Sequence, residues 1–101
     1  MKQEYKARLR VNDSDVELNP FVEEFLARTV YGAVASLKHP EDIEDLELSL
    51  EHGDVSIFAN GSEVPLTAFP QEMIANTFVG LVSSLKGIEK VTKFKITVRP
   101  R

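Results

Sequence analysis

The chain has 101 residues, of which 43% are hydrophobic and 28% charged, with five Gly, five Pro and no Cys. That length suits a single domain burying roughly two-thirds of its unfolded surface, and the composition excludes disorder, collagen and low-complexity linker. Without Cys, disulfides, thiol catalysis and Cys-ligated zinc or iron–sulfur sites are excluded as well. The opening Met1-Lys2-Gln3-Glu4-Tyr5-Lys6 has no apolar run behind its charges, and no segment approaches the roughly 18 apolar residues of a membrane span. A soluble, unprocessed protein of the cytoplasm is expected, with no membrane contact.

The chain contains an internal repeat. Displaced by 48 positions without a gap, residues 12–41 meet residues 60–89 with 14 identities, among them Asn12/Asn60, Leu18/Leu66, Phe21/Phe69, Gly32/Gly80 and Lys38/Lys86. Unrelated segments would share about two. The chain therefore reads as one domain made of two copies of a unit, repeat 1 at about 5–52 and repeat 2 at about 53–101.

In chain order, Tyr5 to Val11 alternates Tyr5, Ala7, Leu9 and Val11 with Lys6, Arg8 and Arg10, the period of a half-buried strand, and its counterpart is Val55 to Ala59. Asn12-Asp13 and Asn60-Gly61 tolerate positive φ and predict tight hairpins, with short strands returning at Val16–Leu18 and Val64–Leu66. Asn19-Pro20 supplies an N-cap and first-turn proline for a helix, with Glu23 and Glu24 near its positive end, and Thr67 caps a second helix. Apolar residues at 22, 25, 26, 30, 33, 34 and 37, and at 69, 73, 74, 78, 81, 82 and 85, carry the helices to Lys38 and Lys86, where His39-Pro40 and Gly87 stop them. Leu46, Leu48 and Leu50, then Phe94, Ile96 and Val98, alternate with polar residues and close each unit with a strand. Each unit is ββαβ.

These elements predict an α+β domain of two layers, a mainly antiparallel sheet with both helices on one face. Glu51-His52-Gly53-Asp54 is short enough for a hairpin that pairs Ser49 with Ser56. A twofold relation between the copies would set the last strand beside the first, with Arg99 opposite Lys6, Thr97 opposite Arg8 and Lys95 opposite Arg10. With its helices on one face of a split βαβ sheet, the predicted architecture resembles the ferredoxin-like fold, which includes RNA-recognition modules. The aromatic motifs of those modules are missing here, and the extra hairpin before each helix departs from the pattern.

The open sheet face offers two groups of charge: a basic one at Lys6, Arg8, Arg10, Lys93, Lys95 and Arg99, and an acidic one at Asp45, Glu47, Glu51 and Asp54. Like charges facing each other in a ladder disfavour pairing by roughly 0.2–1 kcal/mol each, so the basic strands call for a reason. Edge protection against aggregation is one, and self-association of a basic half with another molecule's acidic half is a second. Binding of an anion or nucleic acid is a third, opposed by the net charge of −4, the pI near 5.1 and a face whose one aromatic residue is Phe58.

A recurrent stripe of small residues, Thr29, Gly32 and Ser36 with Thr77, Gly80 and Ser84, is expected to let the two helices pack closely. Gly80→Leu would then cost roughly the 1–3 kcal/mol of an overpacked core. No catalytic motif is present. His39 and His52 fall in predicted loops and are not repeated. Asp13, Asp15 and Glu17 lack the glycine and terminal glutamate of a calcium loop, and the acidic run Glu41-Asp42-Ile43-Glu44-Asp45-Leu46-Glu47 reads as a solvated face. The triplets at Asn12 and Asn60 match a glycosylation acceptor but more simply make hairpins. The chain is expected to need no cofactor or metal and to be a non-enzymatic interaction or assembly module acting through the charge-segregated sheet face, its partner itself or another protein. An anion or nucleic-acid binding module using the basic strands is the alternative.

Overall fold

A computed structural model describes residues 5–37, 44–85, 88 and 90–100. Strand β1 (Tyr5–Val11) turns into β2 (Ser14–Val16), followed by helix α1 (Pro20–Ala35), strands β3 (Leu46–Glu51), β4 (Asp54–Ala59) and β5 (Ser62–Val64), helix α2 (Ala68–Ser83) and strand β6 (Lys93–Pro100). The strands form one antiparallel sheet in the order β2-β1-β6-β3-β4-β5. This is an α+β fold with an open six-stranded sheet, flattened to 36 × 34 × 18 Å.

Three two-residue turns build its hairpins. Asn12 and Asp13, His52 and Gly53, and Asn60 and Gly61 all have positive φ, between 48° and 85°, which is the type I′ geometry that matches strand twist. Because each turn is only two residues long, the short strands start directly after it, at Ser14 and Ser62. They lie two residues earlier than the alternation at Val16–Leu18 and Val64–Leu66 implied. Pairing of β1 with β6 sets Lys6 opposite Arg99, Arg8 opposite Thr97 and Arg10 opposite Lys95, and β3 with β4 sets Ser49 opposite Ser56, as expected from the sequence.

Alternation then sorts the sheet by face. Ala7, Leu9, Val11, Leu46, Leu48, Leu50, Val55, Ile57, Phe94, Ile96 and Val98 are buried beneath the helices, while the polar residues between them form the opposite, open face. The helices answer with Leu26, Ala27, Val30 and Val34 on α1 and Ile74, Ala75, Phe78 and Val82 on α2. Each large side chain so buried stabilises the fold by roughly 1.5–3 kcal/mol.

Asn19 caps α1 by accepting from the Val22 amide at 2.8 Å, with Pro20 at the first helical position. Thr67 takes the same place before α2, but its side chain makes no capping hydrogen bond. The helices end at Ala35 and Ser83, three residues short of the expected Lys38 and Lys86. The last turns tighten there, with Leu37 donating to Val34 and Leu85 to Val82. Lys38, His39, Pro40, Lys86 and Gly87 lie outside the described residues.

Side chains from the first turn of each helix complete the strands. The Glu23 carboxylate accepts from the Ala7 amide at 2.9 Å, and Gln71 both accepts from the Val55 amide at 2.5 Å and donates to the Val55 carbonyl at 3.2 Å. Glu24 is buried on α1 and held by Arg28 at 2.6 Å. These contacts fix the helix directions. Ala7 and Val55 lie at opposite ends of the sheet in the strand register, so α1 and α2 start from opposite ends. The C-terminal half of α1 accordingly lines a groove with the N-terminal half of α2. The two helices run antiparallel.

Candidate interaction surfaces

The open sheet face gathers the basic group Lys6, Arg8, Arg10, Lys93, Lys95 and Arg99 and the acidic group Asp45, Glu47, Glu51 and Asp54, and sets the two signs side by side. Strand β6 lies between basic β1 and acidic β3, so two of its cations, Lys95 and Arg99, reach carboxylates on the side away from β1. Lys95 lies 3.7 Å from Glu47 and Arg99 lies 3.5 Å from Asp45, just ahead of β3. Arg10 pairs with Asp15 at 3.2 Å and Lys93 with Asp13 at 3.0 Å. The like-charged ladder is thus offset by carboxylate partners, whose attraction solvent screens at such exposed positions. Lys6 and Arg8 make no ion pair with a described residue. Glu51 and Asp54 flank the β3–β4 turn, and Phe58 lies half-buried between Glu47 and Glu63 in the register.

One end of this face holds a shallow depression of about 220 Å³ lined by Arg10, Asp13, Glu51, Lys93 and Lys95. The Lys93 ammonium is held above the ordinary lysine value of 10.5, chiefly by its hydrogen bond to the Asp13 carboxylate and that group's charge. Partial desolvation opposes the rise and Glu51 adds to it. A raised folded pKa means that the pair's contribution to stability is complete below the ordinary lysine value and is lost as pH climbs through the raised one. Asp13→Asn, which keeps a residue suited to φ of 70°, is expected to return the Lys93 titration toward the ordinary range. Carbon-13 NMR of the lysine side chain would report it, and an unmoved midpoint would remove Asp13 as the cause.

The other sequence candidates resolve into structural roles. His52 sits at positive φ in an exposed turn, 3.8 Å from Glu51, and His39 lies outside the described residues. Asp13 and Asp15 hold Lys93 and Arg10 rather than forming a cation loop, and no group of His, Cys, Asp and Glu suited to a metal occurs among the described residues. Glu41 and Asp42 lie outside them. The two asparagines of the Asn-x-Ser triplets are clasps. The Asn12 side chain accepts from the Thr92 amide, the Thr92 hydroxyl and the Lys93 amide at 2.7–3.1 Å, and it donates to the Lys90 carbonyl at 2.5 Å. Asn60 accepts from the Glu44 and Asp45 amides at 2.8 and 3.0 Å.

The helix layer departs most from expectation. Gly32 and Gly80 are exposed, with nothing within 4 Å of where a Cβ would stand, so the small residues do not form a helix–helix contact within this chain. Ser36, Thr77 and Ser84 are exposed and Thr29 half-buried, their hydroxyls turned back to carbonyls of their own helix. The overpacking cost expected of Gly80→Leu has no packed neighbour to act through. Phe25, Phe69 and Met73, which share the helical period with buried residues, are also exposed, at 52%, 70% and 53%, and Phe21 reaches 76%.

A helix lying on one face of a sheet buries the side turned to that sheet, and these residues lie on the other side. Phe21 and Phe25 stack with ring centroids 6.0 Å apart and planes within 3° of parallel. Phe69, Pro70 and Met73 form one wall of an open groove of about 350 Å³ whose other wall is Thr29, Ala33 and Leu37, with Phe78 at its floor. The signal was present in the sequence: α1 and α2 are apolar on more than one side, which marks a helix with a second contact face. No protein-family model, curated protein or solved structure matches the chain, and no helix among the described residues is long and apolar enough to cross a membrane.

Proposed function

We propose that this chain is a non-enzymatic assembly module that presents its helix layer to a protein partner. The observation that carries the reading is the exposure of Phe21, Phe25, Phe69 and Met73 on one face. Two such clusters of large apolar side chains, Phe21 stacked on Phe25 and Phe69 beside Met73, exposed on one layer are uncommon on a monomer and mark a protein contact. The open sheet face supports a partner less well, because four of its six selected cations already have carboxylate partners. The same pairing and the net charge of −4 weigh against an anion or nucleic-acid site.

An internal duplication is part of the proposal. Exchanging β1, β2, α1 and β3 for β4, β5, α2 and β6 leaves the strand order unchanged when it is read from the opposite edge. The 48-residue offset also carries Asn12 onto Asn60 and Glu23 onto Gln71, each binding backbone at the matching place. We read the chain as two fused copies of a ββαβ unit in a pseudo-twofold arrangement related to the ferredoxin-like one.

The test is the size of the native complex. Tagged chain, expressed in the cells that produce it and fractionated by size, is expected to elute well above its 11.3 kDa. Phe25→Glu with Met73→Glu should return it to the size of one chain, and Arg8→Glu with Arg10→Glu should leave the large form intact. Loss with the sheet variant alone, or a large form that nuclease dissolves, would overturn the reading.

A further inference from the structure

We infer that the occupant of the helix layer is a second copy of this chain, docked layer to layer about a twofold axis; the inference rests on the assembly reading above. Its basis is the distribution of side-chain size along each helix. On α1 the outward residues are bulky in the first half, Phe21 and Phe25, and small in the second, Gly32 and Ser36. On α2 the same order holds, with Phe69 and Met73 followed by Gly80 and Ser84. The members of each pair stand four residues apart, one turn of helix.

Because α1 and α2 are antiparallel, a twofold axis lying between two facing helix layers, along or across the helices, stacks every helix on an antiparallel one. With the axis across α1 near Thr29, Phe21 comes over Ser36 of the second copy and Phe25 over Gly32. The open space at Gly32 then receives the Phe25 ring, and that at Gly80 the Met73 side chain where the axis crosses α2, as a ridge enters a groove. These outward residues are themselves uncharged, and the cation beside them, exposed Arg28, is already paired with Glu24 at 2.6 Å. Two helices of 16 residues give a face of about 24 by 20 Å. That is small for a specific interface, and a dissociation constant in the micromolar range is expected.

Sedimentation equilibrium of the purified full chain, from about 1 μM to 1 mM, tests the inference. The weight-average mass is expected to climb from 11.3 kDa toward twice that value. Gly32→Leu with Gly80→Leu fills the receiving space without a neighbour to clash with inside the chain. It should weaken the dimer at least tenfold while circular dichroism shows a melting temperature no lower than the parent's. Phe25→Glu with Met73→Glu should abolish the dimer. Mass that stays at one chain throughout would overturn self-association; if the cellular complex still depends on Phe25 and Met73, the assembly reading stands with a different protein as partner. A dimer untouched by the glycine variants, or dissolved by Arg8→Glu with Arg10→Glu, would place the contact on another face and overturn the inference.

Discussion

Phe78→Ala is expected to destabilise the domain by about 3–5 kcal/mol, the usual cost of emptying a buried phenylalanine site. Phe78 is the largest fully buried side chain among the described residues. It projects from α2 toward the sheet and closes the floor of the groove between the helices. The residue 48 positions earlier, Val30, is also fully buried but much smaller, so Phe78 supplies volume that its counterpart does not. Against a total stability of about 5–15 kcal/mol for a domain of this kind, the loss is large. Urea unfolding should show it as a lower midpoint with the slope unchanged. Val30→Ala should cost clearly less. A Phe78→Ala cost under about 2 kcal/mol would mean that Met73 and Phe69 sink from the groove wall into the vacated space, since the price of a cavity depends on how far its walls collapse.

That contrast between Phe78 and Met73 marks where the sequence is legible and where it stops. Residues 73, 74 and 78 are all apolar and share one helical period, which does not tell them apart. Ile74 and Phe78 are buried, and Met73 is more than half exposed. A period of 3.6 says which residues share a stripe, but not whether a helix apolar on several sides turns one of them to solvent. The strands leave less freedom. With a period of 2, Lys6, Arg8 and Arg10 must share one face, and the partners of β1 in β6 were legible only through the twofold relation expected of the repeats. The pairing of Lys95 with Glu47 and of Arg99 with Asp45 needed one more fact, that β3 borders β6. Strand order across a sheet is set by long-range packing that local pattern does not encode. The stripe of Thr29, Gly32 and Ser36 was legible as a close-approach surface, whereas what approaches it depends on how the helices are spaced over the sheet.

Asn12→Ala is expected to cost about 2–3 kcal/mol, more than most exposed substitutions. Two effects add. Asn12 has φ of 48°, and an alanine held in that left-handed region costs roughly 1–2 kcal/mol that asparagine largely avoids through local hydrogen bonding. The side chain also ties the first hairpin to the segment entering β6, about 80 residues away, through three accepted hydrogen bonds and one donated. Groups released at an exposed site find water, so the net loss from the clasp is about 1 kcal/mol rather than the sum of four bonds. Asn12→Gly separates the terms, because glycine accepts the backbone conformation while deleting the clasp. It should fall between the parent and Asn12→Ala in urea unfolding. Equal stability of Asn12→Gly and the parent would show that the clasp contributes nothing and that conformation alone selects asparagine. The clasp also predicts its own local signature. Amide hydrogen exchange at Thr92 and Lys93 should accelerate in Asn12→Gly while the β3–β4 ladder stays protected, since the Asn60 clasp holds the matching segment at Glu44 and Asp45.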